Sequence, residues 1–535
     1  MVVPVLPDSR VMETAAAGPR WAIATPHTLA TEAGAEAFDR GGNAIDAALA
    51  AATTLAVVYP HMCGVGGDLF ALVQRLDGAV TAVNSSGRAP AAAEPGLVRG
   101  LTGTYAMPER GPHTVTVPGA VAGWRALHGQ GAVLDWTTAF GRALSYARDG
   151  APVAPGLAET LADGPSLADD PGMAGVFFPG GSPLSEGSAF AQPALAATLA
   201  AIASEGPDAL YRGDVGRRYA AGLATAGVPI VPADLEAHRA DLLPPLHGRY
   251  RDLNLSVVPP NSQGFVLLQI LALVERLGID PDPFGPDAPV LARIIQTTAA
   301  DRDRHLADPD RMVVHPSTLL DDGHLAGLAD EVRSVGDPEG PPRSPSGDTI
   351  ALVTADADGH AVSLIQSLFD GFGSGILEPS TGIVAHDRGG CFTLEPGHPN
   401  ELRGGARPAH TLMPALTHRE GRLAAVAGTM GGYAQPQINA MTLIRSFDLA
   451  MAPDEAVAAP RWLVHGMDPS FETPAVTAER DVPPATAAAL RDGGFEVDTV
   501  GERDGSVGHA HLIHMTEDGL AAGSDPRSDG GALAG

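Results

Sequence analysis

The sequence predicts a mixed α/β fold (α+β), two layers of sheet covered by helices and built jointly from both halves of the chain. Three observations lead there. At 535 residues, 44% hydrophobic and 18% charged, the chain has the composition of a globular protein with a large core. Alternating β-patterned runs joined by short turns occur in both halves. Ala-rich or apolar helical runs lie between them, and no internal repeat is present.

The elements follow in order. Ala33 to Phe38 and Ile45 to Val58 read as helices, with Gly41 and Gly42 supplying a C-cap and turn. "GVGGD", Gly64 to Asp68, is a glycine turn. "LFALVQR" and "AVTAVNSS" then form a hairpin closed by "LDGA". From Pro118 to about Ala221 the pattern is mainly helical. "YRDLNLSVVPPNSQGFVLLQILALVERLG" reads as strand, loop and helix, with Pro259 and Pro260 ending the strand and Asn261 or Ser262 capping the helix. Arg333 to Asp348 is rich in Pro and Gly without apolar periodicity, an exposed, mobile loop. From Thr349, "TIALVTADADGHAVSLIQSL" is a β-hairpin turning at "DADG". Further strand pairs lie in "GRLAAVAGTMGG" and "HAHLIHMTEDGLAAGSD", with a long helix, Ala434 to Ala450, between them.

Charge and motifs narrow the function. Thirty-four basic against 63 acidic residues leave a net charge of −29, which argues against nucleic acid or an anionic membrane as partner. No run has the length of a membrane helix and no signal peptide is apparent, so the expected location is cytoplasmic. Cys63 and Cys391 are expected as free thiols. There is no P-loop, HExxH or GxSxG. His509, His511 and His514 offer a candidate metal pair at His509 and His511, but no third ligand is placed by sequence. Ordinary strand histidines are the expectation, with no cofactor.

Thr349 stands where the polar loop meets the strand. A threonine hydroxyl is a weak nucleophile, made useful by an adjacent base. Its own α-amino group, with an unperturbed pKa of about 8, can serve once the chain is cut before it. Locally, a threonine that merely opens a strand fits as well.

The whole chain resolves that choice. "ATPHTLATEAGAEAFDRGGNAIDAALAAA", "YPHMCGVGGDLF", "VPGAVAGW", "LYRGD", "PPNSQGF", "DRDRHLADPD", "GDTIALVTADADGHAVSLIQSLFDGFGSGI", "ARPAHTLMPAL", "GTMGGYAQPQI" and "GSDPRSDGGA" occur in family order. The chain thereby resembles the gamma-glutamyltransferase family of N-terminal-nucleophile hydrolases over nearly its whole length. The resemblance implies a four-layer αββα sandwich and self-cleavage between Asp348 and Thr349. The products would be a large chain, 1–348, and a small chain, 349–535, which stay paired. It implies Thr349 as nucleophile, Ser367 as its supporting hydroxyl, and the N–H groups of Gly431 and Gly432 as oxyanion donors. Water or an amine would accept the acyl group.

The departures from the family concern the substrate. Ser86 stands where glutathione-acting members have the arginine that grips the glutamyl carboxylate, with Arg88 two residues on. On a continuing strand the two would share a face. His410 and Thr411 replace paired serines, Phe369 an asparagine, and Cys391 the acid that binds the glutamyl amino group. A neutral thiol cannot replace a carboxylate as an ammonium partner. The set resembles more closely the gamma-glutamyltransferase-like amidohydrolases, the group that includes oxamate amidohydrolase. Arg88, Arg388, His410 and Thr411 could then bind a small carboxylate-bearing amide. A glutathione hydrolase with a rebuilt pocket and an unprocessed, non-catalytic relative stay as alternatives.

Overall fold

The computed structural model describes residues 13–334, 348–465 and 475–535. Two seven-stranded sheets carry the fold. The first runs Gly531–Ala534, Trp21–Thr25, Asp348–Asp356, Ala361–Phe369, Asp68–Gln74, Val80–Ser85 and Asp241–Leu243. The second runs Ala15–Gly18, Gly519–Ser524, Ala510–Thr516, Arg422–Thr429, Ala415–Arg419, Leu253–Val257 and Leu246–Tyr250. The central strands Asp348–Asp356 and Ala361–Phe369 are buried at every position but Asp348, because both faces are covered. Between the sheets, Phe70, Val353 and Ile365 pack with Leu416, Val426 and Ile513. Ser363 Oγ donates across the layers to the Ala427 carbonyl at 2.6 Å.

Helices complete the layers. Ala44–Val58 is capped by Asn43, whose side chain and that of Asp46 form a capping box, and its small residues bury against the first sheet. Gly264–Leu277, Ala288–His305 and Gln435–Phe447 cover the second. The result is the expected αββα sandwich. Among the described residues no helix is long and apolar enough to cross a membrane.

Several boundaries differ from the sequence reading. The first helix begins at Thr28, because His27 caps it by accepting the Leu29 N–H. Gln263, not Asn261 or Ser262, occupies the cap position of Gly264–Leu277, although Ser262 Oγ still accepts from Gly264 N–H at 3.2 Å. The helix expected from Ala434 to Ala450 is Gln435–Phe447, preceded by a 3-10 turn, Gly432–Ala434, that the glycines impose. Arg333 ends a helix, Asp322–Arg333, rather than starting a loop; residues 335–347 of that loop lie outside the described residues. The strand Val80–Ser85 stops before Ser86, so alternation does not carry Ser86 and Arg88 to one face.

Candidate active site

A bulge presents Thr349. Asp348 pairs with Phe369 and Ile350 with Gln366, so one residue on the first strand faces two on the second. Such a bulge re-aims the side chain at its centre. The Thr349 hydroxyl points to Ser367, 3.0 Å from its Oγ. Ser367 Oγ–H donates in turn to the Asp348 carbonyl at 2.8 Å. The same oxygen receives the Phe369 N–H at 2.8 Å and Arg388 Nη2 at 3.1 Å. Phe369 is held at φ +85°, a rare conformation for a bulky residue, with its ring 4.3 Å from the Arg388 guanidinium.

Arg388 opens the 3-10 turn Arg388–Cys391 and is fully buried. Its Nη1 donates to Thr411 Oγ1 at 2.8 Å and reaches the Cys391 sulfur at 3.7 Å. Its Nε has no hydrogen-bond partner among the described residues. Cys63 and Cys391 are both buried, and neither is in a disulfide.

Beneath this layer sits Asp68, which pairs in register with Ser367. Its Oδ1 accepts the Gly87 N–H at 2.9 Å and its Oδ2 the His410 Nε2–H at 3.1 Å, with His386 Nδ1 at 3.7 Å. Burial pushes the carboxyl up, but the two imidazoles and Arg388 outweigh it and bring it down to about 2. His410 is driven down to about 3 by burial and by Arg388. Its Nδ1 accepts from Leu412 N–H, so both ring nitrogens are engaged and the imidazole is neutral.

The Gly431–Gly432 loop joins the same centre through Gln263. Gln263 Nε2 donates to the Thr411 carbonyl at 2.8 Å and the Gly432 carbonyl at 3.0 Å. Gly431 and Gly432 have φ of +140° and +52°, which suits glycine, and their N–H groups have no hydrogen-bond partner among the described residues.

The structure thus brings together Thr349, Ser367, Arg388, Cys391 and Thr411, with His410 attached through Asp68 and Gly432 through Gln263. It does not bring in Arg88, which turns to Asp308 at 3.1 Å and the Gly405 carbonyl at 3.0 Å, with 42% of its side chain exposed. Ser86 is buried in a network with Asn84 and Asn261. Asp68, His386 and Gln263 escaped the sequence reading. Their only signal is register and packing between segments far apart in the chain. His511 lies on the strand Ala510–Thr516 and His509 just before it; the described residues contain no cluster of three or more potential metal ligands.

Comparison with known proteins agrees with this architecture. Residues 30–535 match the family model described as gamma-glutamyltranspeptidase. The chain is 38% identical to the oxamate amidohydrolase proenzyme of Klebsiella pneumoniae, covering 95% of this chain and 97% of that one. It is 36% identical to the glutathione hydrolase-like YwrD proenzyme of Bacillus subtilis, covering 98% and 100%. The crystal structure of cephalosporin acylase from Bacillus halodurans superposes with a TM-score of 0.89 at 30% identity, covering 100% of this chain and 99% of that one. Two of these three relatives are named as proenzymes, and this chain belongs to the family whose model it matches, the gamma-glutamyltranspeptidases.

Proposed function

We propose that the chain cuts itself between Asp348 and Thr349 and that the freed Thr349 hydrolyses a small amide bearing a carboxylate close to the reacting carbonyl. The observation that carries this is the hydrogen-bond chain from the Thr349 hydroxyl through Ser367 Oγ to the Asp348 carbonyl, with Arg388 on the same Ser367 oxygen. In self-cleavage the Thr349 oxygen attacks the Asp348 carbonyl carbon, the C–N bond breaks, and the hydroxyl proton ends on the new amine. The Thr349 α-amine then serves as the base that takes the hydroxyl proton when substrate is attacked. The Gly431 and Gly432 N–H groups supply two free donors for the oxyanion.

Arg388 supports this substrate class. A buried guanidinium with an open N–H suits a carboxylate, which it binds in its planar fork. It stands only two hydrogen bonds, of 3.1 and 3.0 Å, from the nucleophile. That favours an acyl group whose carboxylate adjoins the scissile carbonyl, as in oxamate. A γ-glutamyl group carries its α-carboxylate several carbons away.

A denaturing gel and intact mass of purified protein test the cleavage. Two chains starting at Met1 and Thr349 are expected, and a single chain for Thr349→Ala. Cleavage of that variant at the same bond would refute the mechanism. Ammonia release should be seen with oxamate and be poor with γ-glutamyl anilides or glutathione; efficient glutamate release would refute the substrate assignment.

A further inference from the structure

A second polar centre lies beside the segment that follows Ser367 and takes no part in the scheme above. Helix Pro155–Asp163 runs past Asp348: a side chain added at Gly371 would meet both Thr160 Cγ2, at 3.3 Å, and Asp348 Oδ2, at 2.5 Å. One helical turn back, at Gly156, three polar atoms converge. A Cβ there would lie 2.8 Å from Asp529 Oδ2, 3.2 Å from the Tyr59 hydroxyl and 3.7 Å from His61 Nε2. Asp529 Oδ2 accepts the Gly156 N–H at 3.0 Å, and the Tyr59 hydroxyl and His61 Nε2 face the same point. The His61 ring lies 4.3 Å from that of Tyr59. His61 is fully buried, yet neither ring nitrogen has a hydrogen-bond partner among the described residues; His27 Nε2, on a ring 5.5 Å from that of Tyr59, also has none.

This centre is fixed to the catalytic loop. The His61 carbonyl accepts the Phe372 N–H at 2.8 Å and the Met62 carbonyl the Leu368 N–H at 3.0 Å, so residues 61–62 run beside the segment that follows Ser367. Buried polar atoms are rarely left unpaired, and a neutral imidazole offers one donor and one acceptor. A ligand completing this set must be small and able both to donate and to accept. Water is the smallest that does so.

We propose that Tyr59, His61 and Asp529 hold the water that hydrolyses the ester on Thr349. The inference rests on Thr349 being the self-cleaving nucleophile. That ester is formed first by the chain itself, when the Asp348 acyl group moves from nitrogen to Thr349 Oγ. Water oxygen then bonds to the Asp348 carbonyl carbon and the C–Oγ bond breaks. One water proton passes through the Thr349 amine to Oγ, leaving a carboxylic acid on Asp348. His61 is a positioning residue here, since it holds the water rather than the acyl group.

The test uses this first ester and needs no known substrate. Freshly purified precursor is allowed to cleave in the presence of hydroxylamine, and intact mass reads the fraction of large chain ending in Asp348 hydroxamate rather than acid. His61→Phe keeps the ring and removes its nitrogens; it should raise the hydroxamate-to-acid ratio about fivefold, the effect of one lost hydrogen bond on the held water. An unchanged ratio overturns the inference. Absence of cleavage in the wild-type chain overturns the reading of Thr349 instead. If His61→Phe does not fold, as judged by its melting curve, Tyr59→Phe, which removes the hydroxyl from the same centre, is judged by the same ratio.

Discussion

Ser367 has one proton and two lone pairs, and three donors reach it while it donates to the Asp348 carbonyl. Its acceptor capacity is exceeded, so the Thr349 hydroxyl is the readiest of the three to turn toward another acceptor. Ser367→Ala removes the bridge to the Asp348 carbonyl, and self-cleavage should slow by about 10²-fold or more, as for loss of an oxyanion donor; Ser367→Thr should retain most of the rate. A gel time course decides, and equal rates for the alanine and threonine variants would refute the role. Asp348 carries a second prediction. Burial, then the Asp370 carboxylate, push its carboxyl up to about 7, against a smaller opposing effect of Arg110; Tyr59 is also within electrostatic reach. Between the unfolded value near 4 and about 7, the folded precursor binds more protons than the unfolded chain. Stability therefore falls as pH rises through that window, and the loss is complete above it. In a Thr349→Ala background, Asp348→Asn should stabilise by about 2–4 kcal/mol at pH 8, with the two melting temperatures converging toward pH 4. A constant gap across that range would contradict the assignment.

At the scale of elements, the site is a junction of loops hung on rigid strands and helices. Gln263, at the cap of Gly264–Leu277, ties the Thr411 and Gly432 carbonyls together, and its Oε1 accepts from Arg302 on Ala288–His305 at 3.2 Å. Gln263→Leu leaves two carbonyls and a guanidinium short of a partner and lets the Gly431–Gly432 loop drift. Amide turnover should fall by about 10-fold or more, on the scale by which small misplacements cost rate, while self-cleavage proceeds. Equal loss of both activities would show general destabilisation instead. Much at this scale is legible in the sequence. The pairs Asp68–Gln74 with Val80–Ser85 and Asp348–Asp356 with Ala361–Phe369 announce themselves by β-branched and apolar runs around short glycine turns. Thr349, Ser367 and the Gly431–Gly432 pair are legible through their motifs. The bulge at Thr349, the Asp68 partner of Ser367 and the Gln263 clamp are not, because each depends on register or packing between distant segments. Arg88 lies apart from that cluster for the same reason: the strand ends before it, and Asp308 supplies an ion pair elsewhere.

At the scale of the whole molecule, the proposed cut does not divide the architecture. In the first sheet, Asp348–Asp356 and Ala361–Phe369 lie between Trp21–Thr25 and Asp68–Gln74, with Gly531–Ala534 beyond Trp21–Thr25. In the second, Ala15–Gly18 pairs with Gly519–Ser524, and Leu253–Val257 with Ala415–Arg419. Each sheet is therefore interleaved from both sides of residue 348, and each core contains residues of both segments. Neither segment could close its sheets alone: 349–535 would expose the edges of its central hairpin, and such edges template aggregation. The two chains should accordingly stay together after cleavage and unfold in one denaturant transition, while residues 349–535 expressed alone should be insoluble or lack cooperative unfolding. Size exclusion under native conditions and a urea titration read both outcomes, and a soluble, cooperatively folding 349–535 fragment would show that the small-chain segment is an independent domain.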